Sequence, residues 1–447
     1  MKLDHTHDVS ANSWLASANL ADGDFPIQNL PFSVFRLAGS QEAFRGGVAI
    51  GDQVLCLTTL SQARCLQGLA ADAAAACAAP VLNDFLAMGP AAWRALRHGL
   101  FALLRADAAP AIQAAVRTCL VPLTGVEYAI PTRIGDYTDF YTSIDHATNI
   151  GKLLQPDNPV TPNFKWMPIA YHGRVSSIGI SGQTFHRPMG QSLPAGANAP
   201  VYAPCAKMDY ELELGIVIGQ GNRQGHPIKL AEVDQHIFGI CLLNDWSARD
   251  IQSWEMAPLG PFQAKNFATT ISPWIVTLDA LAPYRHTWTR PASDPQPLNY
   301  LESTGNRAEG AFDIQLEVWL ETPARQTRGA GPTRLTHTSF RHQYWSIGQM
   351  VTHHTVGGCN LNPGDLLGSG TISGPVQTEA GALIELTNAG RNPITLQPTE
   401  NDHGPAEQRS FLEDGDIVSL RGWCEKPGRA RIGFGESSGQ VLSALQP

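Results

Sequence analysis

Turn signals dictate what most of this chain can become. From residue 126 onward, GDYTD, NPGD, GSGTISG, EDGD and KPGR recur between short apolar runs, alongside most of the glycine and many Trp and Tyr. Gly, Pro, Asn and Asp at that density favour short strands joined by tight turns, and so a large, mostly β domain. Upstream the texture differs. FPIQNLPFSVF and GGVAIGDQVLCL, within residues 25–60, are rich in Val, Ile and Phe and predict short strands. Residues 61–120 are rich in Ala and Leu, and SQARCLQGLAADAAAACAA, VLNDFLAMG and PAAWRALRHGLFALLRAD predict helices. Pro90 can open the last of these, because a first-turn residue needs no N–H partner. The change after Val121-Pro122 puts a boundary near residue 125, giving units of 1–125 and 126–447. No fixed-period repeat interrupts this division.

At 447 residues, with 43% apolar and 16% charged, the chain has material for two or three domains with sizeable cores. Its 31 Lys+Arg against 40 Asp+Glu give a formal charge of −9 and no basic run. That balance argues against binding to nucleic acid, which needs surplus cations to displace counterions. The eight cysteines form no C-x-x-C pair, so they read as reduced thiols that fill cores. MKLDHTHDVSANSW lacks the apolar stretch of a signal peptide, and no segment reads as spanning a bilayer. The expected address is the cytoplasm, with no membrane partner.

Four segments concentrate chemistry. In DYELELGIVIG (209–219), period two puts Leu212, Leu214, Ile216 and Ile218 on one strand face and Glu211 with Glu213 on the other. Two carboxylates roughly 7 Å apart repel by about 2 kcal/mol at an effective dielectric near 20. Aimed inward they need a cation, and oxygen ligands select a hard ion such as Mg²⁺ or Ca²⁺; taken alone, the fragment favours a solvated strand face. In NDWSARDIQSWEMAPLGPFQAKN (244–266), a helix opened by Asp245 would align Asp245, Arg249, Gln252 and Met256. Lys265 follows, near the apolar stretch TTISPWIV. The third segment, IGDYTDFYTSIDHATNIG (134–151), crowds Asp136, Asp139, Tyr141, Asp145 and His146, and such polar company suits a general base. In the fourth, NPGDLLGSGTISG (362–374), Gly, Ser and Thr allow backbone to approach a ligand. Glu385, in the strand-like ALIELT, could orient a histidine.

Some motifs mislead. GESSG (435–439) matches the nucleophile elbow, yet no His, Asp or Glu follows Ser437 to complete a triad. The His353-His354 pair lacks the spacing that puts two metal ligands on one helical face, and GQGNRQG (219–225) misses the dinucleotide spacing.

Taken together, FPIQNLPFSVF, VAIGDQVL, IGDYTDFY, HATNIG, YHGR, RPMGQ, ELELG, NDWSARDIQ, PLGPF, TTISPW, GDLLGSGTISG and LEDGD resemble, in order and over nearly the whole chain, the fumarylacetoacetate hydrolase family in its full-length, two-domain form. The resemblance implies an N-terminal SH3-like barrel with helices, a C-terminal β-roll domain housing the active site, and a homodimer. It implies cleavage of a carbon–carbon bond of 4-fumarylacetoacetate by water, giving fumarate and acetoacetate, the last step of tyrosine and phenylalanine catabolism. A divalent ion, Mg²⁺ or Ca²⁺, would be held by Asp139, Glu211, Glu213 and Asp245, with Lys265 and Thr269 beside it.

His146 would correspond to the base that activates water, and Glu385 to the carboxylate orienting it. Arg249, Gln252 and Lys265 match groups around the developing oxyanion, and Tyr141, Tyr171, Gln252 and Thr371 match substrate contacts. At two further substrate-contact positions the chain departs from the pattern: Gln155 stands where the family has Arg, and Met256 where Tyr is common. Other readings are a hydratase, decarboxylase, isomerase or acylpyruvate hydrolase on the same scaffold, or a metal-stabilised module without activity. The retained His146 and Glu385 favour the hydrolase.

Overall fold

A computed structural model of the chain describes residues 2–154, 156–398 and 404–445. In the N-terminal region, strands Phe32–Leu37, Arg45–Ile50, Gln53–Cys56, Leu120–Pro122 and Val126–Ala129 form one antiparallel half-barrel sheet. The last strand returns to the first, with Val34 opposite Ala129. Between the third and fourth strands lie the expected helices, cut into shorter pieces than the Ala-rich run suggested: Leu57–Gln62, Gly68–Ala76, Asn83–Ala87 and Pro90–Leu104, followed by Pro110–Arg117. Pro90 occupies the first turn of its helix, as expected.

The rest of the chain is built on two sheets. One runs, strand by strand, Ile169–His172, Tyr137–Tyr141, Leu366–Gly368, Leu212–Ile218, Ile237–Asp245, Thr269–Ile271 and Ile178–Ile180, with Val276–Thr277 also pairing to Ile237–Asp245. The other comprises Thr333–Ser339, Gln315–Glu321, Ile417–Cys424, Ile432–Leu442 and Gln183–His186. Period two is visible in Leu212–Ile218. Leu212, Leu214, Ile216 and Ile218 enter the large core between the two sheets. Val217, of the opposite parity, joins Phe238, Leu243, Ile275 and Leu366 against the N-terminal helices. Phe238 is the keystone, ringed edge-on by Phe32, Phe85 and Trp93. Glu211 and Glu213 share the parity of Val217, so the N-terminal region covers one end of the sheet face whose other end carries the carboxylates.

Two local expectations fail. Asp245 does not open a helix but ends the strand Ile237–Asp245, and the helix is Arg249–Glu255. Pairing of Asp245 with Thr269 across the sheet holds it extended. Glu385 lies not on a strand but in the four-residue helix Leu383–Leu386, because Asp209 accepts hydrogen bonds from the first two backbone N–H groups of that turn. Ser437 of GESSG is buried within the strand Ile432–Leu442, consistent with its dismissal as a nucleophile.

Candidate metal and active site

The sheet itself assembles the acidic cluster. Asp139, Glu213 and Asp245 come from three strands, and Glu211 immediately precedes one of them. Ligand oxygens of all four lie within 4.8 Å of one another, and all four residues are buried. Between Asp139 and Glu213 runs the strand Leu366–Gly368, where Gly368 pairs with Asp139 on one side and Gly215 on the other. A Cβ at residue 368 would lie 2.6 Å from Oδ1 of Asp139 and 2.9 Å from Oε2 of Glu213. The hollow therefore exists because glycine is there.

Electrostatics says that something positive belongs in it. Burial, then the charge of Asp245, pushes the Asp139 carboxyl up from 3.8 to about 8. Burial and the charge of Asp139 drive Glu213 well above its ordinary value, and burial raises Asp245 too. Only Glu211 goes the other way: burial opposes it, but Lys265 and then Arg249 hold it ionised. Lys265 bonds Glu211 and reaches Oδ2 of Asp245 at 2.9 Å, and Thr269 donates to Oδ1 of Asp245 at 3.0 Å. Meanwhile Oδ1 of Asp139 and Oε1 of Glu213 are buried with no hydrogen-bond partner. Orphaned carboxylate oxygens aimed into an oxygen-lined hollow fit a hard divalent cation.

A pH dependence follows. Carboxyls raised in the folded state keep protons that the unfolded chain releases, so metal-free stability falls as pH rises from the ordinary carboxylate range through about 8. The thermal midpoint of chelator-treated protein should drop between pH 6 and pH 9, and saturating Mg²⁺ should remove the drop. Scanning fluorimetry reads both; a midpoint that rises over that window in chelator would contradict the assignment.

Beside the cluster sits the second half of the site. His146, on the helix Ile144–Leu154, places Nδ1 2.6 Å from Oε1 of Glu385. Burial alone would raise Glu385, yet the neighbouring imidazole and hydrogen bonds from His146, Asn149 and Ser373 hold it below its ordinary value. A carboxylate on Nδ1 fixes the tautomer that leaves Nε2 as the acceptor. The helix follows directly on the strand Tyr137–Tyr141 that carries Asp139, which brings the imidazole alongside the carboxylate cluster. Tyr141 packs edge-on against that ring at 5.4 Å.

Arg249 fills the remaining side. Its Nε donates to Asp209 at 2.9 Å, and one terminal nitrogen donates to Glu211 at 2.8 Å and Gln252 at 3.1 Å. The other terminal nitrogen is buried without a partner and is available to an anion. Tyr171 donates to Oδ2 of Asp245 at 2.8 Å, so its hydroxyl serves a carboxylate of the cluster. Thr371 is buried, three residues past Gly368, while Met256 is exposed just beyond the helix Arg249–Glu255. Gln155 lies outside the described residues.

Sequence reasoning missed Asp209, Gly368, Asn149 and Ser373. Asp209 had a signal, since it shares the parity of Glu211 and Glu213; Asn149 lies one helical turn after His146.

A family model described as "Fumarylacetoacetate (FAA) hydrolase C-terminal" matches residues 137–441, and one described as "Fumarylacetoacetase N-terminal" matches residues 28–131. The chain is 44% identical over 427 residues to a fumarylacetoacetase of Oryza sativa subsp. japonica, covering 94% of this chain and 95% of the relative. It is 43% identical over 432 residues to that of Homo sapiens, covering 95% and 98%. Among solved structures, a fumarylacetoacetate hydrolase from Exiguobacterium antarcticum aligns with a TM-score of 0.50 at 16% identity, covering 93% of this chain and 99% of that one, a likeness of fold.

Proposed function

This chain belongs to the fumarylacetoacetate hydrolase family, and from that premise we propose that it hydrolyses 4-fumarylacetoacetate to fumarate and acetoacetate. The observation that carries the reading is the buried tetrad of carboxylates adjoining an imidazole already polarised by Glu385. A small β-diketone dianion suits the site. Two adjacent carbonyl oxygens can chelate a hard ion, and Lys265 and Arg249 supply fixed positive charge against the substrate's own negative charge. Mg²⁺ or Ca²⁺ held by Asp139, Glu211, Glu213 and Asp245 supplies Lewis-acid polarisation of those oxygens when bound.

The chain's own residues do the rest. Nε2 of His146 removes a proton from water while Glu385 stabilises the resulting imidazolium. The hydroxide attacks the carbonyl carbon attached to the fumaroyl chain. The unpartnered terminal nitrogen of Arg249, with Gln252 and Lys265 nearby, faces the negative charge that develops on oxygen; one such donor is commonly worth about 3 kcal/mol. Burial opposes the charge of Lys265, but the carboxylates of Asp245 and then Glu211 hold it above its ordinary value, so it acts as a permanent cation and not as a base. The carbon–carbon bond then breaks with its electron pair on the acetoacetate fragment, which takes up the proton held by His146. Tyr141, Gln155, Met256 and Thr371 are read as substrate contacts, with Tyr171 acting through Asp245.

The test is turnover of fumarylacetoacetate by chelator-treated protein with and without added Mg²⁺ or Ca²⁺, run beside shorter acylpyruvates. Metal-dependent loss of the conjugated diketone's absorbance with fumarate as product is expected. Turnover of acylpyruvates alone would reassign the substrate.

We also read the chain as two units, 1–125 and 126–447, and as a homodimer. What supports the dimer is the loop after the Arg249–Glu255 helix. Glu255 accepts hydrogen bonds from the backbone of Phe262, Gln263 and Ala264, which bows the loop outward. Leu259 is thereby 95% exposed and Phe262 67% exposed, a cluster that water disfavours. Light scattering should return about twice the 48.2 kDa chain mass, and Leu259→Ser with Phe262→Ser should shift it toward one. A wild-type protein of single-chain mass would remove the proposal.

A further inference from the structure

We propose that Asp209 is a positioning residue that ties the base-orienting carboxylate to the oxyanion-binding guanidinium, a role that rests on the hydrolase reading above. Asp209 is fully buried, and both its oxygens are committed. Oδ1 accepts from the backbone N–H of Tyr210 at 2.8 Å and of Leu383 at 2.8 Å. Oδ2 accepts from Nε of Arg249 at 2.9 Å and from the N–H of Ile384 at 3.1 Å. Leu383 and Ile384 open the helix Leu383–Leu386 that carries Glu385, whose own preceding residue, Ala382, offers no side chain to cap it. Asp209 supplies that cap from another strand. The same carboxylate fixes Arg249 so that one terminal nitrogen reaches Glu211 while the other stays free. One buried group therefore sets the azimuth of Glu385, and with it His146, and the direction of Arg249.

Replacement by Asn keeps the shape but turns a donor toward donors. Asp209→Asn should lower kcat by about 10–100-fold, the usual cost of removing a group that orients active-site residues. KM should stay within about threefold, and Mg²⁺ affinity by calorimetry should be nearly unchanged, since Asp209 is no member of the tetrad. In a Glu385→Gln background the same change should cost at least about threefold less than in the wild type, because one of the two orientations it protects is already lost. Wild-type turnover of fumarylacetoacetate is measured first, so failure of the hydrolase reading is seen separately. Given an active wild type, three results would overturn the proposal: near-normal kcat in Asp209→Asn, full additivity with Glu385→Gln, or parallel loss of Mg²⁺ affinity. If Asp209→Asn does not fold, Asp209→Ser, which keeps an acceptor without the amide, is measured identically. Failure of both to fold would likewise overturn it, leaving Asp209 a folding determinant.

Discussion

His146→Ala should abolish most turnover while leaving the divalent cation bound. General-base catalysis of this kind contributes roughly 10²–10⁴-fold, and a loss in the upper part of that range is expected because the imidazole is buried and already paired with Glu385. The cation should stay because the tetrad contains no atom of His146. Removing the ring does leave Glu385 with Asn149 and Ser373 as its hydrogen-bond donors, which keep the carboxylate satisfied and the fold intact. Steady-state kinetics beside calorimetric titration with Mg²⁺ separates the two effects. Near-normal hydrolysis by this variant would remove His146 from the chemistry; lost metal binding would place it among the ligands.

Gly368→Ala should do the converse and damage metal binding first. A methyl at that position would press on Oδ1 of Asp139 and Oε2 of Glu213 at distances no real contact shows. Neither carboxylate retreats easily. Glu213 accepts from the backbone N–H of Gly370 at 3.0 Å, and both are enclosed. Overpacking a rigid site costs about 1–3 kcal/mol, which corresponds to roughly 5–150-fold in metal affinity. The nearest neighbours of that methyl do not include His146 or Glu385, so activity should recover at high metal concentration. The expected result is a right-shifted metal activation curve with kcat restored at saturation, and an unshifted curve would mean that the hollow is not where the ion sits.

Legibility varied with the range of the interactions involved. Period two in DYELELGIVIG sorted the leucines from the glutamates before any coordinates, because alternation is a property of a single strand. Whether those glutamates face solvent or an ion depends on Asp139 and Asp245 arriving from other strands, and no local pattern reports that. The resemblance brought the four together; the backbone pairing explains why they meet. Asp245 and Glu385 were misplaced for the same reason. Asp245 sits in a sequence that suits a helix, but pairing with Thr269 overrides the preference. ALIELT has strand-like composition, yet an aspartate some 170 residues earlier in the chain caps it as a helix. Gly368 was legible only as one of several glycines in a loop-like run; its neighbours across the sheet give it meaning.

The first third of the chain covers one end of the sheet face that carries the ligands, which has a corollary for trimming or splicing. A shortened version starting beyond residue 131 would inherit every chemical group of the reaction and still leave Phe238, Val217 and Leu243 wetted at the far end of the face that carries the carboxylates. Those strands would then be free to splay, and ångström-scale tolerances between carboxylates would go with them. Possession of the full complement of reactive atoms is thus no measure of competence here. The quiet leading segment works as the anvil on which the reaction chamber is held to shape.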